Sequence, residues 1–224
     1  MPTAPTRFYF NLRSPYSWLA QHDLLERYPD VAQAVAWRPF WEPDERSEQQ
    51  LATAGGRFLY SPMSREKHFY ILQDVRRLAE DRGLSVRWPI DRSPRWEAAH
   101  LPFFLAEQSG VGQEYVAAVS KARWQLGRDI CDPAVIGEIG GELGLDRPRV
   151  LEAAQDDLLR RQGGEALLAL HHDGVFGVPF FIIGREKYWG VDRLPAFAAK
   201  VRSTPVASGP VIATFDDGHA GGCG

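Results

Sequence analysis

The chain has 224 residues, 44% of them hydrophobic and 12% aromatic, which is enough to build a sizeable core and too apolar for a disordered polymer. A net charge of −3, from 26 basic and 29 acidic residues, offers no field that would gather nucleic acid or an anionic membrane surface, so a small-molecule partner is expected. No apolar run approaches the roughly 20 residues of a spanning helix, and Met1 to Arg7 lacks a basic-then-apolar leader pattern, so the expected location is the cytoplasm.

Arg7-Phe8-Tyr9-Phe10-Asn11-Leu12 is short, aromatic and ends before Ser14-Pro15, which predicts a buried strand leading into a helix. Ser14 suits the N-cap and Pro15 the first helical position, where a missing N–H costs nothing. Trp18, Leu19, Leu24 and Leu25 supply that helix with an apolar face down to about Tyr28, and a second strand is predicted over 31–38. From Glu42 to Gly174 the pattern is helical. Residues 64–82 carry Leu72, Val75, Leu78 and Ala79 on one stripe and stop at Gly83, and Asp132-Pro133 opens a helix that closes near Gly144. Further helical segments are predicted over 114–126, 149–161 and 165–172. Strand signals return at 178–183 and, after Gly184, at 186–189, as in a hairpin, with a last helix from about Asp192. The order βαβ, helical block, ββα predicts an α/β thioredoxin-like fold carrying a large all-helical insertion. Residues 1–41 and 175–202 would form the discontinuous thioredoxin-like domain, 42–174 the insertion, and 203–224 a flexible Gly-, Ser- and Pro-rich tail.

Ser14-Pro15-Tyr16-Ser17 has the spacing of a redox C-x-x-C with oxygen in place of both sulfurs. The chain's cysteines are Cys131 and Cys223, far apart, so neither a disulfide framework nor thiol exchange by the protein is expected. What remains is a helix N-terminus, whose roughly half-unit positive charge stabilises an anion such as a bound thiolate. Ser14 is then either a hydrogen-bond donor to that anion or simply a helix cap. In Gly174-Val175-Phe176-Gly177-Val178-Pro179-Phe180 a proline enters a strand that needs ladder donors. A cis Val178–Pro179 bond would turn the N–H and C=O of Val178 toward an extended ligand beside the Ser14 helix; the alternative is a trans proline at the strand's first residue. His171-His172-Asp173 points in divergent directions along a helix, and no metal site is assigned. Lys67 is a substrate anchor or a solvated charge, and Trp88, Trp96 and Trp124 suit a core better than a stacking site.

The aromatic start with Ser-Pro-Tyr-Ser, the Gly-Val-Phe-Gly-Val-Pro segment and Tyr188-Trp189-Gly190-Val191-Asp192-Arg193-Leu194 together resemble 2-hydroxychromene-2-carboxylate isomerases and kappa-class glutathione transferases. These have a DsbA-like thioredoxin fold. The likeness runs to about Val201; Lys67, Tyr70, Asp74 and Arg77 keep a spacing similar to the family's first insertion helix, and Ala122-Arg123-Trp124…Gly127-Arg128-Asp129-Ile130 to a later one. It implies glutathione, or another low-molecular-weight thiol, as cofactor, with Ser14 as the catalytic residue and Pro15 and Tyr16 beside it. By the same likeness Val178 and Pro179 would meet the cysteinyl backbone, and Val191 and Asp192 the γ-glutamyl end. Asp192 also suits a helix N-cap. Lys67 and Trp88 are the substrate-side candidates, and a homodimer is compatible with the resemblance. Two departures stand out: the family's glutathione-contacting asparagine, expected near Gly55-Gly56, has no counterpart, and the segment 88–96 differs from the family pattern. The activity implied is isomerisation of an unsaturated small molecule by reversible thiol addition. Its rivals are a transferase that leaves the thiol attached to an electrophile and a non-catalytic binding protein of the same fold.

Overall fold

The computed structural model describes residues 6–59, 63–92 and 94–204. The tail beyond Thr204, with Cys223, lies outside the described residues. The chain opens with strand β1 (Arg7–Phe10), helix α1 (Pro15–Arg27), helix α2 (Pro29–Ala34) and strand β2 (Ala36–Pro39). A helical stretch follows: α3 (Glu45–Thr53), α4 (Arg65–Glu80), α5 (Glu97–His100), α6 (Pro102–Gln108), α7 (Gly112–Trp124), α8 (Pro133–Glu142), α9 (Arg147–Glu152) and α10 (Asp157–His172). Strands β3 (Phe180–Ile183) and β4 (Glu186–Trp189), a 3₁₀ turn (Val191–Arg193) and helix α11 (Leu194–Ser203) complete it.

The strands form one sheet in the order β2-β1-β3-β4, with β1 parallel to β2 and antiparallel to β3, and β3 antiparallel to β4. Because strand side chains alternate between faces, Phe8 and Phe10 enter the main core while Tyr9 enters a second cluster with Phe40, Leu170, Val175, Phe180 and Ile182. Phe8 stacks on Phe181 at 4.9 Å and meets the edge of Trp37 at 4.9 Å, so aromatic contacts fasten β2, β1 and β3 together. This is the α/β thioredoxin-type arrangement expected from the pattern, with helices covering the sheet.

Two local expectations are corrected. The strand predicted over 31–38 is shorter, since Pro29 and Asp30 start helix α2 and β2 begins only at Ala36. Proline at the first helical position with an acidic residue in the first turn favours helix there, and Val31 and Ala32 bury side by side where an alternating strand would bury every second residue. The predicted segments 149–161 and 165–172 are redistributed: α9 ends at Glu152, and α10 runs unbroken through Gly163-Gly164. A Cβ on Gly163 would lie 2.7 Å from Leu101 Cδ2 and 3.4 Å from the Trp41 ring, so this glycine admits close packing in mid-helix. Among the described residues no helix is long and apolar enough to cross a membrane.

Candidate active site

Ser14 sits at the N-cap of α1 with extended backbone (φ −86°, ψ 121°), and its Oγ accepts the Ser17 N–H at 3.2 Å. The turn before it is closely fixed. Ser14 N–H donates to Asn11 O at 3.0 Å, Asn11 Oδ1 accepts from Arg13 N–H at 2.8 Å, and Ser17 Oγ accepts from Asn11 N–H at 3.2 Å. Both backbone groups of Leu12 are held from a distance: its N–H donates to His100 Nε2 at 3.2 Å and its carbonyl accepts from Trp124 Nε1 at 3.2 Å. His100 Nδ1 lies 2.7 Å from Trp96 O, so the ring is the neutral Nδ1–H tautomer, donating at one nitrogen and accepting at the other. Complete burial, with Arg123 adding to it, pushes the His100 pKa down to about 3.

Pro15 and Tyr16 form the first turn of α1, both half-buried. The Tyr16 phenol is occupied elsewhere: it donates to Asp74 Oδ2 at 2.7 Å, on a carboxylate that also receives Tyr70 OH at 3.2 Å and the Arg77 guanidinium at 3.1 Å. Burial and then the Asp74 hydrogen bond keep this phenol protonated well above its ordinary range, so it is no base. Tyr70, Asp74 and Arg77, which share one stripe of α4, thus pin the start of α1 to the helical region.

The Val178–Pro179 bond is cis. Continuing the β1–β3 register beyond Tyr9↔Phe180 sets Pro179 beside Phe10 and Val178 beside Asn11, three residues before Ser14. The Val178 backbone has no hydrogen-bond partner among the described residues, whereas Pro179 O accepts from Gly190 N–H at 3.0 Å. Val191 is buried in the 3₁₀ turn, which packs on α1, and the Asp192 side chain is 69% exposed with only a loose 3.7 Å contact to Arg193. Of the two readings of Asp192, the helix N-cap does not hold: the residue lies inside the turn without a capping bond, and its carboxylate is exposed.

On the substrate side the two candidates diverge. Lys67 is in the exposed first turn of α4 with no carboxylate partner among the described residues. Trp88 is 38% exposed rather than core, and its ring meets the edge of Trp124 at 5.6 Å, one aromatic away from Leu12. Trp96 and Trp124 are buried, sandwiching Arg123, which forms two 2.8 Å bonds to Asp91 and so ties the divergent segment 88–96 to α7. At Gly56, where the resemblance led to the expectation of an asparagine, a Cβ would stand 2.4 Å from Cδ1 of the buried Leu51, so a larger residue requires that side chain to move. His100 escaped the sequence reading, because a histidine between alanines and a leucine looks like any buried ring.

The described cysteine, Cys131, is half-buried, and burial pushes its thiol up to about 11, which leaves almost no thiolate at neutral pH. Replacing Cys131 and Cys223 together by Ser is expected to leave turnover within a few fold in a steady-state assay; a collapse would contradict a non-redox site.

Residues 7–202 match the DSBA-like thioredoxin domain. The chain belongs to that family. Within it, the chain is 26% identical over 191 residues to a 2-hydroxychromene-2-carboxylate isomerase of Sphingobium xenophagum, covering 84% of this chain and 92% of the relative. A solved 2-hydroxychromene-2-carboxylate isomerase superposes with a TM-score of 0.70 at 23% identity, over 89% of this chain and 95% of that one. The cytosolic disulfide reductase DsbM of Pseudomonas aeruginosa, solved with GSH, superposes with a TM-score of 0.61 at 16% identity, over 89% and 98% of the two chains. The resemblance read from the Ser-Pro-Tyr-Ser, Val-Pro and Val-Asp segments is therefore matched along most of the chain.

Proposed function

We propose that this DSBA-like protein isomerises a small unsaturated carboxylate of the 2-hydroxychromene-2-carboxylate type with the help of glutathione or a similar thiol bound at Ser14. The observation that carries this reading is the state of the Ser14 hydroxyl. Its oxygen accepts the Ser17 N–H, so the cap is satisfied through a lone pair and the O–H proton stays available to a ligand. Capping and donation are thus compatible roles of one group. The Tyr16 N–H, also at the start of α1, has no partner among the described residues and adds to the helix-end field.

The residues around Ser14 fit a peptide-like thiol. The unpaired backbone of Val178 suits an extended main chain, and the exposed Asp192 carboxylate suits an α-ammonium group. The match to a DsbM structure solved with GSH supports the fit. When bound, the thiol supplies a nucleophile that adds reversibly to a conjugated double bond, which then rotates as a single bond. The chain's own work is to hold that sulfur ionised near pH 7, where a free thiol of pKa about 8.5 is mostly protonated. The Ser14 hydroxyl donates to the charge, the α1 terminus supplies partial positive charge, and His100 and Trp124 keep the 11–13 turn in place. No protein atom needs to bond to substrate.

Incubation with glutathione and a conjugated enone carboxylate tests the reading. The expected result is interconversion of the two double-bond geometries, dependent on glutathione, with free thiol constant. Stoichiometric loss of thiol would make the protein a transferase, and absence of both reactions a binding protein.

A further inference from the structure

Beside the Ser14 turn the structure holds a cleft of about 650 Å³ lined by Arg13, Glu42, Phe58, Met63, Ser64, Arg65 and His68, within the range of small-ligand sites. Its walls are of two kinds. Phe58 and Met63 offer apolar surface, Phe58 being backed by Phe40 at 5.0 Å. The rest is polar and unevenly charged. The Arg13 guanidinium lies 5.3 Å over the Trp96 ring and is ion-paired with Glu42, which neutralises that carboxylate, the one among the described lining residues. Arg65 lies 5.3 Å over Phe69, and neither Arg65 nor His68 has a carboxylate partner among the described residues. The neighbouring acid Glu66 does not line the cleft; its carboxyl is held below the usual range by its own backbone N–H and the Ser64 hydroxyl. Arg65 is therefore an uncompensated cation facing a pocket with an apolar floor.

The loop that carries Glu42 is rigid enough to keep this shape. Buried Glu97 accepts from Trp41 Nε1 at 3.2 Å and from Asp44 N–H at 2.7 Å, and Asp44 in turn receives Arg160 Nη1 with two 2.8 Å contacts. On the other side α4 is anchored to α1 through Asp74 and Tyr16. The cleft thus lies between two walls that are each tied to the Ser14 region.

We propose that Arg65, with His68 beside it, receives the carboxylate of a planar conjugated acid whose apolar body rests on Phe58 and Met63. This assignment deepens the isomerase reading, since it places the substrate's anion away from the thiol and its unsaturated portion toward Arg13 and Ser14. A guanidinium matches a carboxylate with two parallel hydrogen bonds, and a neutral or protonated imidazole adds a further N–H donor. The same guanidinium could otherwise hold a terminal carboxylate of the thiol peptide, and the two sources separate by experiment.

The probe is trans-cinnamate, titrated by calorimetry at low ionic strength without any thiol, with cinnamyl alcohol as the uncharged comparison. Wild type is expected to bind cinnamate and not the alcohol. Arg65→Gln is expected to weaken cinnamate about tenfold or more, the effect of losing a hydrogen bond to a charged group, with a smaller loss for His68→Gln. Arg65→Lys should retain part of the affinity, and Arg76→Gln, which removes a cation ion-paired with Glu80 on the same helix, should retain all of it. In turnover, Arg65→Gln should raise KM for the carboxylate substrate and leave KM for glutathione unchanged. The assignment is overturned if Arg65→Gln binds cinnamate like wild type, or if the KM that rises is that for glutathione. Because the titration contains no thiol, its result stands apart from the thiolate chemistry. An inactive protein that still binds cinnamate through Arg65 would refute the isomerase reading alone.

Discussion

Ser14→Ala is expected to fold and to raise the pKa of bound glutathione, followed by thiolate absorbance, with a matching fall in turnover. The cap and the donor make separable contributions. Losing the Ser17 N–H bond costs about 0.5–2 kcal/mol of stability, which a denaturant melt reads directly. Losing a hydrogen bond to a charged sulfur costs about 1.5–3 kcal/mol, or roughly 10–150-fold in thiolate stabilisation or rate. A residue that only caps would show the first loss and not the second. Ser14→Thr keeps the hydroxyl and should restore much of the thiolate signal, while Ser14→Cys places a sulfur at the same point. Treated with glutathione disulfide, that variant should exchange to a protein–glutathione mixed disulfide and release one glutathione, visible by mass. A bound-thiol pKa unmoved by Ser14→Ala, with normal turnover, would return Ser14 to the status of a helix cap.

The parts of this site visible in the sequence are those whose chemistry is local. A serine followed by proline after an aromatic run marks a helix start because capping and proline geometry act within three residues, and Ser14 is found there. The glycine that closes the β3–β4 hairpin, Gly184 with φ +58°, is legible for the same reason. The misread segments show the limits of local rules. Gly163-Gly164 looks like a helix break, yet a side chain at Gly163 would meet Leu101, 62 residues earlier, at 2.7 Å, so this glycine serves close packing inside a continuous helix. Val31 to Arg38 alternates too weakly to separate a proline-started helix from a strand, and packing decides it. Besides the local bonds of the Asn11–Ser17 turn, the links that anchor the site to the rest of the protein are long-range: Tyr16 to Asp74, Leu12 to His100 and Leu12 to Trp124 join residues 58, 88 and 112 positions apart. No periodicity announces such pairs. The charge of the cleft is equally hidden, because the sequence does not say that Glu42 neutralises Arg13 while Arg65 stays uncompensated.

His100 gives the largest expected effect on stability, and one with a defined pH dependence. It is fully buried and uncharged, with both ring nitrogens engaged, and its pKa falls to about 3 against about 6.5 for an exposed imidazole. Below pH 6.5 the unfolded chain therefore binds a proton that the folded chain refuses. Stability from this residue is complete above about pH 6.5 and declines as the pH falls toward 3, by up to about 1.4 kcal/mol per pH unit. Going from pH 7.5 to 5 should cost about 2 kcal/mol through His100 alone. His100→Gln supplies a non-titrating amide that can donate to Trp96 O and accept from Leu12 N–H, so its urea midpoint should fall less over the same interval. His100→Ala removes a fully buried ring and leaves the Leu12 N–H without its partner, while Trp96 O keeps its backbone bonds; it is expected to destabilise by about 2–5 kcal/mol at neutral pH, with turnover reduced because Leu12 is two residues from Ser14. The imidazole signal of His100 in a proton NMR titration should stay unprotonated down to about pH 4.5. Equal acid losses in wild type and His100→Gln, together with an imidazole that titrates near 6.5, would show that the ring is open to water and that the turn before Ser14 is held by other means.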